Sequence, residues 1–142
     1  IISWASLVAV LFFIIIFNQA LFWTQAAPSS AYSYAFRKDL TKASDYLNQR
    51  NDKRNTYLAL EEYSQQTTEY LTSDYNQPYL SVDLDKISWL QLKRGQQIIF
   101  TASTLDLANQ YQGQHPEARI AKQVFNDQSR DREELIRVYE RE

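Results

Sequence analysis

KISWLQLKRGQQIIFTASTLDLANQY, residues 86–111, reads in two ways, and the choice separates a mainly helical chain from a mixed one. As a helix, Ile87, Leu90, Ile98, Ala102, Leu105 and Ala108 line one side, with Arg94 interrupting. As a hairpin, Trp89–Lys93 and Gln97–Thr101 are strands joined through Arg94-Gly95, and the β-branched content suits them. From Thr101 onward both readings are helical. With only 2 glycines and 3 prolines in 142 residues, turn-rich β architecture is disfavoured. We therefore take the helix over 86–111.

Upstream, Ser73–Asp85 (SDYNQPYLSVDLD) changes character. Leu80, Val82 and Leu84 alternate with Ser81, Asp83 and Asp85, which predicts a short extended segment near 79–84. Asp74-x-Asn76 invites a calcium-loop reading and fails it: Pro78 occupies position five, and the glycine and the closing glutamate are absent. Before that, Tyr57, Leu60, Tyr63, Thr67 and Tyr70 form a helical stripe to about residue 72, with Asn55 as its N-cap. An earlier stripe, Tyr32, Phe36, Leu40, Ala43 and Leu47, predicts a helix over 30–49. Joined by Asn48–Asn55, the two predict an antiparallel helical hairpin.

Ahead of these lies the most decisive composition in the chain. No charged residue occurs before Arg37, and Ile1–Trp23 is almost continuously apolar, long enough for a transmembrane helix. Trp4 and Trp23 stand 19 positions apart, about 28 Å along a helix. That separation matches the hydrocarbon thickness of a bilayer, and tryptophan favours both of its interfaces. A cleaved secretory signal fits less well, because the run is long, rich in Trp and Phe, and lacks an A-x-A site before Pro28. The chain opens on isoleucine, so we expect upstream residues. Within the span, Ala5 and Ala9 give a small-residue face for a neighbouring helix. Asn18 and Gln19 carry amides that either reach the headgroup region or hydrogen-bond to a neighbouring helix.

Downstream, Gly113 reads as a helix stop and Pro116 as the start of another helix. From Asp127 to Glu142, 10 of 16 residues are charged with mixed sign, which predicts an exposed helix or a tail that orders against a partner. The organisation expected is thus a transmembrane helix (1–25), a linker (26–30), a helical extramembrane domain (31–112) and a charged C-terminal helix or tail (113–142). The fold class expected is mainly α, hairpin- or bundle-like outside the span.

Chemistry finds little to work with. There is no cysteine, and His115 is the single histidine, so neither a thiolate nor a His-based metal centre can be assembled. Neither a G-x-S-x-G elbow nor a glycine-rich phosphate cradle is present. A net charge of −2 gives no footprint for nucleic acid. We expect no cofactor and no catalysis, with a membrane-tethered enzyme as a minor reading. Asp74, Tyr75, Tyr79, Asp83, Asp85 and Trp89, aromatics and acids around a proline, form the expected partner surface. Tyr70–Asp74 (YLTSD), Pro78 and Asp83…Trp89 resemble a stretch of an uncharacterised family of single-pass proteobacterial inner-membrane proteins, a resemblance that implies no activity.

These features predict a non-catalytic, single-pass accessory or scaffold subunit of a larger membrane assembly, its partners being other membrane subunits and the lipid bilayer. The alternative is a sensor- or receptor-type module that binds a ligand in its helical domain. The uncharged flank after Trp23 predicts a domain on the non-cytoplasmic, periplasmic or lumenal, side.

Overall fold

The computed structural model describes residues 3–50, 55–72, 79–127 and 132–142. The apolar run forms one helix, α1 (Trp4–Leu21), which continues as a π-helical turn, Phe22–Ala26. Ser3 caps its start by accepting from the Ser6 N–H at 3.2 Å. The helix stops before Pro28, whose ring would clash with the preceding turn. Trp4–Ala26 is long and apolar enough to cross a membrane.

The remainder is a mixed α/β domain, which corrects the expected mainly helical fold. Two short helices come first, α2 (Ser30–Ala35) and α3 (Lys38–Asn48). The expected single helix over 30–49 is broken at Arg37, whose backbone is left-handed with φ 45°. Then follow β1 (Thr56–Ala59), α4 (Glu62–Leu71), β2 (Leu80–Ser81), a 3₁₀ turn (Leu84–Trp89), β3 (Gln97–Thr101), α5 (Leu105–Gln114), β4 (Arg119–Phe125) and β5 (Glu134–Glu140).

The strands form one sheet in the order β2-β1-β3-β5-β4. β1 pairs in parallel with β2 and β3, whereas β5 lies antiparallel to both β3 and β4. Both faces are covered. Leu40, Ala43 and Leu47 of α3 pack on Leu58, Ile99, Ile136 and Val138. On the other face Ile87, Leu92, Ala108 and Tyr111 pack on Ala59, Ile98, Phe100 and Tyr139. Residues 98, 99 and 100 alternate between the two cores, as strand geometry requires.

Residues 56–59 (TYLA), expected at the head of a helix, are buried as a central strand, so no helical hairpin forms. Residues 86–111 are neither one helix nor a hairpin. Their first part is a 3₁₀ turn, Arg94-Gly95 is a turn with Gly95 at φ 78°, and only Gln97–Thr101 is a strand. Thr101 and Thr104 make a capping box that starts the helical run into α5. That helix passes through Gly113 and ends at Gln114, and the segment after Pro116 is β4 instead of a helix. The charged C-terminus is also a strand: Ile136, Val138 and Tyr139 are fully buried in β5. Its Arg137 is neutralised by Glu134, with Nε 2.8 Å from Oε1. The expected extended segment survives as β2, an edge strand of 2 residues.

Candidate functional site

β1 and β3 are parallel neighbours whose following helices leave on opposite faces of the sheet. α4 packs beside α3 on one face, whereas α5 packs on the other. The carboxyl ends of β1 and β3 therefore form a topological switch point, the place where open α/β sheets characteristically open a crevice. Side chains tie the two ends together. The Thr104 hydroxyl donates to the Ala59 carbonyl at 3.1 Å and accepts from the Thr101 N–H at 3.0 Å.

Arg37 reaches into this crevice from the α2–α3 corner. Its left-handed backbone turns the side chain inward, where Nη1 donates to Ser64 Oγ at 3.0 Å and Nη2 lies 3.5 Å from Ser103 Oγ. The guanidinium also stands 5.8 Å from the centre of the Tyr63 ring and 3.9 Å from Glu61 Oε2. Burial works against its charge, yet the hydrogen bonds and charge of Asp39 win and raise its pKa. Glu61 Oε2 is buried and accepts no hydrogen bond among the described residues. Beside the cluster opens a cleft of about 260 Å³ lined by Tyr34, Ala35, Arg37, Leu40, Tyr63, Ser64 and Thr67.

One arginine thus faces two carboxylates, Asp39 and Glu61, and is already neutralised from within the chain. A free anion would have to displace Asp39 to gain the guanidinium fork. The arrangement suits a clamp that fixes α2 on the sheet, with an aromatic, hydroxyl-bearing cleft beside it. His115 is remote from it. Buried at the C-terminal end of α5, its Nε2 donates to the Ser88 carbonyl at 3.0 Å, and its ring lies 4.5 Å from that of Tyr111.

The residues singled out from sequence are dispersed. Trp4 and Trp23 are exposed at either end of the apolar helix. Gln19 accepts from the Trp23 indole N–H at 3.2 Å, so its amide is partly satisfied within its own helix. Ala5, Ala9 and Asn18 are exposed on α1. Asp74 and Tyr75 lie outside the described residues. Tyr79 turns inward against the α3-side core, where burial, with Glu69 adding to it, pushes its phenol up to about 12. Asp83 caps the 3₁₀ turn, accepting from the Asp85 N–H at 3.2 Å, and pairs with Lys86 at 3.0 Å. Trp89, the last residue of that turn, is 83 % exposed. Tyr79 is thus turned inward, Asp83 caps the turn and Trp89 faces outward. The Arg37 cluster went unread because residues 37, 39, 61, 63, 64 and 103 share no spacing; its one sequence signal is that Arg37 is the first charge in the chain.

The sequence matches no known protein family, and neither curated proteins nor solved structures show significant similarity to it.

Proposed function

We propose that the chain is a non-catalytic, membrane-anchored accessory module that holds its α/β domain beside another membrane component, on the non-cytoplasmic side. The observation that carries this is the exposure of the apolar helix: no part of its most apolar stretch is buried within the chain. Phe12, Phe13, Ile15, Ile16 and Phe17 all stand more than half exposed, an apolar surface that water would reject and hydrocarbon accepts. Asn18 adds an amide at the same depth with no hydrogen-bond partner among the described residues, suited to a neighbouring helix.

The test is a photo-crosslinker placed at Asn18 or Ala9 in the full chain, in native membranes. A discrete cross-linked protein band, and retention of the chain in the membrane after alkaline washing, are expected. Release by the wash, or labelling of lipid alone at both positions, overturns the reading.

A second reading, a ligand-binding receptor module, is favoured by the cleft beside the Arg37 cluster. It predicts that a ligand protects Tyr63 and Ser64 from exchange or labelling, and that Arg37→Ala abolishes this protection.

A further inference from the structure

Four aromatic rings link the apolar helix to the corner that carries Arg37. Phe22 meets Trp23 edge-on at 5.1 Å and Tyr32 at 5.6 Å, and Tyr32 meets Phe36 at 4.3 Å. Lys38 Nζ then sits 5.3 Å from the centre of the Tyr32 ring. Phe36 is 65 % exposed and Tyr34 63 %, although both belong to a short segment held firmly on the domain. Ala27 is buried, and the Asn126 amide, just after β4, donates to the Ser33 hydroxyl. Arg37 locks the corner through Asp39 and Ser64. The connection after α1 is therefore packed, and its exposed rings keep a fixed place relative to the sheet.

We propose that this corner is a bilayer-surface contact: Tyr34 and Phe36 lie in the headgroup layer of the membrane that α1 enters, with Lys38 at its polar side. The inference rests on the membrane-anchor reading above and goes beyond it. Phe36 is continuous with the apolar surface of α1 through the ring series, and Tyr34 is exposed two residues before it, so the occupant that covers α1 extends over this corner. Its composition, exposed aromatics with a lysine beyond them, is that of an interfacial belt. The carboxyl ends of β1, β3 and β4, gathered around the Arg37 and Asn126 contacts, then face the lipid, and the amino ends face away.

The chain has no cysteine, so single cysteines report without background. Spin labels at Tyr34→Cys, Phe36→Cys, Phe13→Cys and Trp89→Cys, all exposed positions, are introduced in the full chain. The protein is reconstituted in vesicles of phosphatidylcholine and phosphatidylglycerol, and melting curves check that each variant is folded. Labels at 34 and 36 should be relaxed by lipid-dissolved oxygen and shielded from an aqueous nickel chelate, as at 13 and opposite to 89. If 13 reports lipid while 34 and 36 report water, this inference fails and the anchor stands. If 13 also reports water, the anchor reading fails with it. Protection of 34 and 36 in native membranes but not in these vesicles means that a protein covers the patch, which also overturns the lipid contact.

Discussion

Arg37 holds Asp39 with two parallel hydrogen bonds, Nε to Oδ1 at 3.1 Å and Nη2 to Oδ2 at 3.2 Å, across the left-handed bend that separates α2 from α3. Asp39 is buried, with its side chain 5 % exposed, whereas that of Arg37 retains 19 %. Removing the arginine leaves a buried carboxylate without its partner, a loss of 3–5 kcal/mol where burial is complete. Partial exposure of Arg37 lowers the expected cost of Arg37→Ala to about 2–3 kcal/mol. Combining it with Asp39→Asn should cost less than the sum of the singles, as a denaturant-melt cycle will read. Arg37→Gly, which relieves the left-handed backbone, should be about 1 kcal/mol milder than Arg37→Ala.

The two glycines should respond to alanine with opposite signs. Gly95 has φ 78° in the turn before β3, and a Cβ there meets nothing within 4 Å, so the penalty is purely conformational. Its N–H donates to the Arg141 carbonyl at 2.8 Å, which pins the conformation. Gly95→Ala should destabilise by about 1 kcal/mol. Gly113 lies inside α5, also with open space at its Cβ, and Gly113→Ala should stabilise by roughly 0.5–1 kcal/mol. Thermal melts of the two variants on either side of the parent give the check.

What the sequence made legible follows from how many faces each element buries. α1 is an uncharged, mostly apolar run, readable by its length, and α3 buries one stripe, Leu40, Ala43 and Leu47, readable by its period. β1, β3 and β5 are buried on both faces, which erases the alternation that marks a strand. In β5 the charges misled further, because Glu134 and Arg137 cancel each other inside a strand instead of solvating a helix. The clamp site lay beyond reach for a different reason. Arg37 meets Ser64 and Ser103 only once β1 and β3 are paired, and that pairing is not written in any local stretch.

The same Glu134–Arg137 pair should shape the acid limb of stability. Burial pushes the Glu134 carboxyl up, but hydrogen bonds from Arg137 and Gln123 and the charge of Arg137 hold it below its ordinary value of 4.5. A depressed folded-state pKa contributes stability that is fully present above the unfolded value and is lost as pH falls through the folded one. Stability measured by urea midpoint should therefore decline below about pH 4.5. Glu134→Gln should flatten that part of the decline. If parent and variant decline in parallel, the pair contributes nothing to acid sensitivity.

At the alkaline end the argument turns on Tyr111. Its side chain is buried against Phe100 and Tyr139, with ring centroids 5.8 and 5.9 Å away, and its hydroxyl donates to the Leu90 carbonyl at 3.0 Å. Burial, with the nearby charge of Glu117 adding to it, pushes the phenol up to about 12 from an ordinary 10. Between those values the unfolded chain releases a proton that the folded chain keeps, so rising pH favours unfolding. The stability from the neutral phenol is complete below pH 10 and is lost as pH climbs toward 12. Tyr79, pushed up to about 12 by the same cause, adds to the effect. Tyr111→Phe should cost about 1 kcal/mol at neutral pH, through the lost hydrogen bond, and make the alkaline limb shallower. Equal slopes for parent and Tyr111→Phe between pH 10 and 12 would remove the buried phenol as the cause.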